Sequence, residues 1–200
     1  PIDATFMALP ELPGSRYEAT RVLEILDEPA VQRRFALATG DIDIIHRWVR
    51  ESGIRWGIDA PHRAGFDLPA TTEHTWRFGL DRLLLGYALP GGNERLFADI
   101  LPYDEVEGTL GQVLGRFVSF ADAAIALNHL PASRTVPQWG HLLRNILAQF
   151  YEPDDDGEEE LEALRSAIGA LESEAAAGGF DGAISLDVVK GALRSRLEIP

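Results

Sequence analysis

Trp139, Leu142, Leu143, Ile146, Leu147 and Phe150 fall at offsets of 0, 3, 4, 7, 8 and 11, the spacing of one face of an α-helix. The same period runs through nearly the whole chain, and a chain patterned in this way buries apolar stripes of helices against one another. The first clear helix opens at Ser15, where Ser15 and Glu18 have the spacing of a capping box and Ala19, Val22, Leu23 and Leu26 share a face. It stops at Asp27 or Glu28, because Pro29 disfavours helical geometry in the residue before it. A short helix follows from Pro29 to Phe35, and Ile42, Ile45 and Val49 mark a third that ends near Gly53. From Glu73 the period returns with Trp76, Leu80, Leu83, Leu84 and Tyr87, ending at Pro90, Gly91 and Gly92. The longest helix is expected from Asp104 to Leu130, stopped by Pro131, with Val106, Leu110, Val113, Leu114, Phe117 and Ala121 on its stripe. Leu161, Leu164, Ile168 and Leu171 give a further helix closed by Gly178 and Gly179, and Ser185 is placed to cap a last one carrying Leu186, Val189, Leu193 and Leu197.

Between these helices, residues 54–72 carry Gly57, Pro61, Gly65 and Pro69, which interrupt any regular period and predict a long irregular loop. No alternating strand and no repeat of 20 to 50 residues is evident. The expected fold is therefore all-α: an irregular bundle of seven or eight helices with a long loop near 54–72. It is expected as a single helical domain over 1–200, with its one point of subdivision near the acidic loop at 152–158.

Charge narrows the function. The formal net charge is −14, so the field of the whole chain repels nucleic acid and anionic membranes, and autonomous DNA binding is disfavoured. Eight of the acids lie in the run 152–162, which contains no base. That run reads as a solvated loop and first helical turn, where carboxylates suit the positive helix N-terminus, in preference to a divalent-ion site. With no cysteine, zinc-ribbon sites, disulfide scaffolds and thiol nucleophiles are excluded. No signal-peptide order and no run of about 18 apolar residues is present, so the expected location is cytoplasmic, with no membrane partner.

Of the 18 basic residues only Lys190 is a lysine, and it precedes Gly191 where a phosphate-binding P-loop needs Ser or Thr. His46, His62, His74, His129 and His141 do not form the paired helical spacing of a zinc protease, and no Gly-x-Ser-x-Gly elbow accompanies His74 and Asp81. Gly53, Gly57 and Gly65 follow no strand, which removes a dinucleotide loop. No cofactor is expected. What stands out is a concentration of Arg and Trp: Arg47, Trp48, Arg50, Arg55, Trp56, Arg63, Trp76, Arg77 and Arg82. Such a set suits a partner interface or a phosphate-contacting surface, and equally a core of Trp rings covered by Arg stems whose heads stay in water.

The same stretch carries a family resemblance. Glu51 to Asp59 (ESGIRWGID), Leu68 to Thr71 (LPAT), His74 to Ala88 (HTWRFGLDRLLLGYA) and Leu101 to Glu105 (LPYDE), with Leu26 to Val31 and Arg33 to Phe35 upstream, resemble the RecC family, the gamma chains of exodeoxyribonuclease V. The resemblance is specific from about residue 15 to 151; beyond 152 it rests on helical pattern alone. RecC chains are several times longer, so it implies an internal fragment, and the Pro1 start and Pro200 stop fit that expectation.

It further implies the helical 2B-like region of a superfamily 1 helicase-like subunit that has lost its ATP motifs. The function implied is that of a non-catalytic scaffold module of the RecBCD helicase-nuclease, in double-strand break repair and Chi-regulated recombination. The implied partners are the beta and alpha chains, with DNA contacted in the full complex and weakly or not at all by this segment. No catalytic residue is carried over. Arg55, Trp56, Asp59, His74, Trp76, Arg77 and Arg82 are the candidate motif or partner-facing positions, with an Asp59-to-Arg pair expected to pin the long loop on the Trp76 helix. The alternatives are a free-standing helical enzyme, which predicts convergent titratable groups in a pocket, and a helical adaptor unrelated to DNA.

Overall fold

The computed structural model describes residues 2–89, 96–103, 105–106, 108–130 and 133–197. Among them are ten α-helices: α1 (Ile2–Ala8), α2 (Ala19–Leu26), α3 (Pro29–Arg34), α4 (Thr39–Glu51), α5 (Ala60–Ala64), α6 (Trp76–Ala88), α7 (Leu110–Ala126), α8 (Val136–Phe150), α9 (Asp155–Ala177) and α10 (Leu186–Leu197). The fold is all-α, as the apolar period dictates, with more helices than the seven or eight expected. The additions are α1, in a stretch the sequence reading left unassigned, and α5, a single turn inside the long loop.

Two three-residue strands, β1 (Ser133–Thr135) and β2 (Ala183–Ser185), also pair antiparallel, with Arg134 opposite Ile184. Three residues are too few to show an alternation, and each strand runs directly into a helix, so the expectation of no strand is corrected here.

The chain forms two compact units. The first comprises residues 1–14, 28–34 and 127–200, so residues 152–158 lie within it. Its frame is the packing of α8 on α9 and α9 on α10, with α1 against α9 and α3 against α8. Phe6, Val31, Leu143, Ile146, Phe150, Leu164, Ile168, Val189 and Leu193 are buried together there. The acidic run starts α9 as its composition requires. Asp154 is the N-cap, its Oδ1 accepting from Gly157 N at 3.0 Å. That hydrogen bond, with Arg33 beside it at 3.0 Å, holds the Asp154 carboxyl below the usual carboxylate range. Among the described residues no group of three or more potential ligands is placed to hold a metal ion.

The second unit comprises residues 15–27 and 35–126. Here α4 packs on α2 and α7, and α6 packs on α7, around Tyr17, Ile45, Trp48, Trp76, Leu80, Leu83, Phe117 and Phe120. Helix α2 begins at Ala19 and not at Ser15, because Tyr17 takes a positive φ of 51° and turns its ring into the core, where it is 1% exposed. Helix α7 begins at Leu110, since the chain at Gly108 has a φ of 57°. The longest helix is α9, not this one. The expected start at Asp104 and the stops at Pro90 to Gly92 and at Pro131 lie outside the described residues. By length and composition Leu110–His129 could cross a membrane; the buried stripe Val113, Leu114, Phe117, Phe120, Ala121 and Ala124 marks it as the central helix of a folded core.

Two glycines fix how closely α6 is approached. A Cβ on Gly79 would stand 2.1 Å from Ile54 Cγ1, and one on Gly86 would stand 1.7 Å from the Tyr103 carbonyl oxygen. One face of α6, seven residues apart, therefore admits only hydrogen at these positions, and the loops before α6 and after it lie directly on its backbone.

Candidate partner-facing site

The candidate residues gather where the 54–75 segment meets α6. The segment is irregular, so its backbone groups need partners outside a helix, and side chains supply them. Asp59 is the N-cap of α5, its Oδ1 accepting from His62 N at 2.8 Å. Burial holds His62 below the usual histidine range, in keeping with its Nδ1 accepting from Ile58 N at 3.4 Å. His74, at a positive φ of 65°, donates through Nδ1 to Gly53 O at 2.9 Å, while its own carbonyl accepts from Arg55 N and Trp56 N at 3.0 and 3.3 Å. That turn and the Thr75 side chain, which accepts from Phe78 N, start α6 at Trp76 and not at Glu73.

Trp76 is 1% exposed. Its Nε1 donates to Tyr17 O at 2.8 Å, and its ring leans on Phe117 with centroids 6.4 Å apart. Arg77 bonds Asp122 on α7 at 2.6 Å, and both side chains are half exposed. Arg82 donates through Nη1 to Ser52 O at 2.8 Å, satisfying a carbonyl at the end of α4, and through Nε to Leu101 O at 2.9 Å. One guanidinium thus holds together the end of α4, helix α6 and the 101–103 segment. In that segment, Tyr103 is hydrogen bonded to Glu51 and lies 3.2 Å from Glu105 Oε2; burial, and then the two carboxylates, push its phenol above the usual range.

The residue that organises the loop is Arg63, one of nine in the Arg and Trp concentration and not one of the seven candidates. It is 5% exposed. Its Nη1 donates to Thr71 Oγ1, Glu73 O and Thr71 O at 2.8, 2.8 and 3.3 Å, and its Nη2 donates to Trp56 O at 3.0 Å. The guanidinium lies 4.3 Å from the Trp56 ring centroid, with Arg16 at 5.8 Å from the same ring. Gly57, at a φ of 80°, makes room for it: a Cβ there would meet Arg63 Cγ and Nε at 3.0 Å. The expected Asp59-to-Arg pair is not formed among the described residues; Asp59 caps α5, and it is Arg63, bonded to carbonyls, that pins the loop.

The signal that could have singled out Arg63 is local. Asp59-Ala60-Pro61 is an N-cap followed by proline, which predicts a turn of helix and puts residue 63 on its inner side. Of the seven candidates, Asp59, His74, Trp76 and Arg82 are committed to holding this unit's own backbone. Trp56 is half buried, Arg77 is ion-paired, and Arg55 presents an exposed side chain.

Beside these residues a surface cavity of about 320 Å³ opens between the loop, α6 and the 98–100 turn. Its lining includes Asp59, Glu73, Asp81 and Asp99 against one guanidinium, Arg77, with Phe78 and Ile100 as apolar wall. Burial pushes the Asp81 carboxyl up, with Arg77 opposing.

The family model described as the fourth domain of the RecBCD enzyme subunit RecC matches residues 1–200, so the likeness extends past residue 152 to the acidic run and the last two helices. The RecBCD enzyme subunit RecC of Escherichia coli K12 is 34% identical over 99% of this chain and 18% of its own length. That of Mycolicibacterium smegmatis is 33% identical over 70% of this chain and 13% of its own, and that of Haemophilus influenzae 26% over 98% and 17%. The chain spans less than a fifth of the length of these relatives. With a family match along its whole length, the loop and α6 motif at its centre and an all-helical fold, this chain belongs to the RecC family.

Proposed function

We propose that the chain is a non-catalytic scaffold module of a RecC-like subunit, supporting subunit assembly and DNA handling in a RecBCD-type helicase-nuclease during double-strand break repair and Chi-regulated recombination. The observation that carries this reading is the use to which the motif's polar groups are put. Arg63, Arg82, His74 and Asp59 each satisfy backbone groups of the unit itself, as a scaffold requires, whereas catalysis needs groups converging on a reacting atom. The whole complex supplies the nuclease and helicase chemistry, and the segment takes no cofactor. Its all-helical fold supports a place in the 2B-like region, and the bacterial relatives support a cytoplasmic location.

The beta and alpha chains of the complex are the proposed partners. Co-expressed with them and passed over a sizing column, the chain is expected to elute with one or both; elution apart from both overturns the scaffold reading. DNA is reached only within the complex. Titrated with duplex at low salt, the chain alone is expected to show weak binding or none, because its net charge is −14. Tight binding that falls steeply with added salt overturns this part.

A further inference from the structure

Two histidines hold the segment before α6, and they do so in opposite hydrogen-bonding roles. His74 donates from Nδ1 to Gly53 O at 2.9 Å, a bond that a second proton on the ring leaves in place. His62 does the reverse: its Nδ1 accepts from Ile58 N at 3.4 Å, which requires that nitrogen to be bare. The other ring nitrogen is then the donor to the Ser15 backbone carbonyl. The ring makes edge-to-face contacts with Tyr17 and Phe66, with centroids 5.5 and 5.2 Å away. The His62 backbone N donates to Asp59 Oδ1, the cap of α5, so cap and ring together close the turn from 58 to 62.

We infer that His62 is an acid-sensitive latch on this segment: a proton gained at Nδ1 turns the acceptor into a donor facing the Ile58 N–H, and the turn at 58–62 opens while the His74 bond holds. The groups around the ring set the range. Burial disfavours the charged ring and holds His62 below the usual histidine value, with Asp59 and the Ser15 bond opposing. Arg63, next in the chain, and Arg16, 5.9 Å from the Phe66 ring, also disfavour the proton. Burial pushes the Tyr17 phenol up and keeps it neutral, while Glu18 and Asp67 are exposed, where water screens them. Because the folded ring is harder to protonate than the unfolded one, the unfolded chain binds more protons once the pH drops below the usual histidine value. Stability therefore falls from there down to the folded value, and this group changes it no further below that. The Arg63 donors to Thr71 and Glu73 stay charged throughout, so opening is confined to the 58–62 turn.

Ring-nitrogen NMR reads the latch directly. At about pH 8 the His62 Nδ1 is expected to be the bare nitrogen and the His74 Nδ1 the protonated one. Lowering the pH to about 5 should speed amide exchange at Ile58 about tenfold beyond its intrinsic change, as loss of one hydrogen bond does, with the middle of α7 unaffected. His62→Asn keeps an acceptor near the Nδ1 position and has no proton to gain. Exchange at Ile58 in that variant is expected to lose its excess dependence on pH, whatever its absolute rate. A protonated His62 Nδ1 at about pH 8 overturns the latch, as does a ring that titrates at or above the usual histidine value. Both are read in the unsubstituted chain, so they decide the matter even if the variant fails to fold. Acid-driven exchange at Ile58 that survives in His62→Asn assigns the opening to another group and equally overturns it, as does exchange in the unsubstituted chain that follows the intrinsic rate down to about pH 5.

Discussion

Truncation of Trp76 to alanine is expected to destabilise the helical unit that contains it by roughly 3–5 kcal/mol, the range for removing a large buried aromatic ring. The ring is 1% exposed and stands where three segments meet. Its Nε1 holds Tyr17 O at 2.8 Å, its face leans on Phe117 of α7, and its backbone N donates to Gly57 O at 2.9 Å. Alanine keeps the last of these, leaves a cavity under α7 and orphans the Tyr17 carbonyl. Trp76→Phe separates the contributions, because it retains most of the ring and loses only the indole donor; about 1–3 kcal/mol is expected from that unpaired carbonyl. Urea denaturation followed by circular dichroism reads both. A midpoint unmoved by Trp76→Ala would put the ring on a surface and make it an interface anchor instead.

That residue was legible because its neighbours at 80, 83 and 87 repeat the helical period and the period points inward. The same rule placed α2, α4, α6, α8, α9 and α10, whose stripes are long enough to establish a phase, while Pro29 announced the short α3. It failed where an element is short and its stability comes from elsewhere. Helix α1 is seven residues whose packing partner, α9, lies more than 140 positions away. The β1 and β2 pair joins residues about 50 positions apart, and nothing in either triplet alone announces the other. In the candidate segment the sequence led to an expected Asp59-to-Arg pair, whereas Arg63 holds the loop through carbonyls. Asp59 and the arginines invited an ion pair, since opposite charges are the visible signal. The loop instead presents carbonyls, which every residue carries and no sequence displays, and a guanidinium with several donors is suited to gather them.

Arg63 is accordingly where a single substitution should release the loop. Arg63→Met keeps an apolar stem on Trp56 while removing the donors to Thr71, Glu73 and Trp56. A loss on the order of 3 kcal/mol is expected, set by several partly buried acceptors left unpaired at once and not by lost contact area. Arg63→Lys discriminates between charge and shape. An ammonium supplies the charge but has no planar fork to reach three residues at once, so it should recover less than half of the loss. Amide exchange locates the effect: in Arg63→Met, residues 65–75 should exchange faster while the middle of α7, which has its own buried stripe, stays protected. If the lysine variant matches the original in both stability and exchange, a positive charge alone suffices, and the pinning of this loop by carbonyl-directed donors would have to be given up.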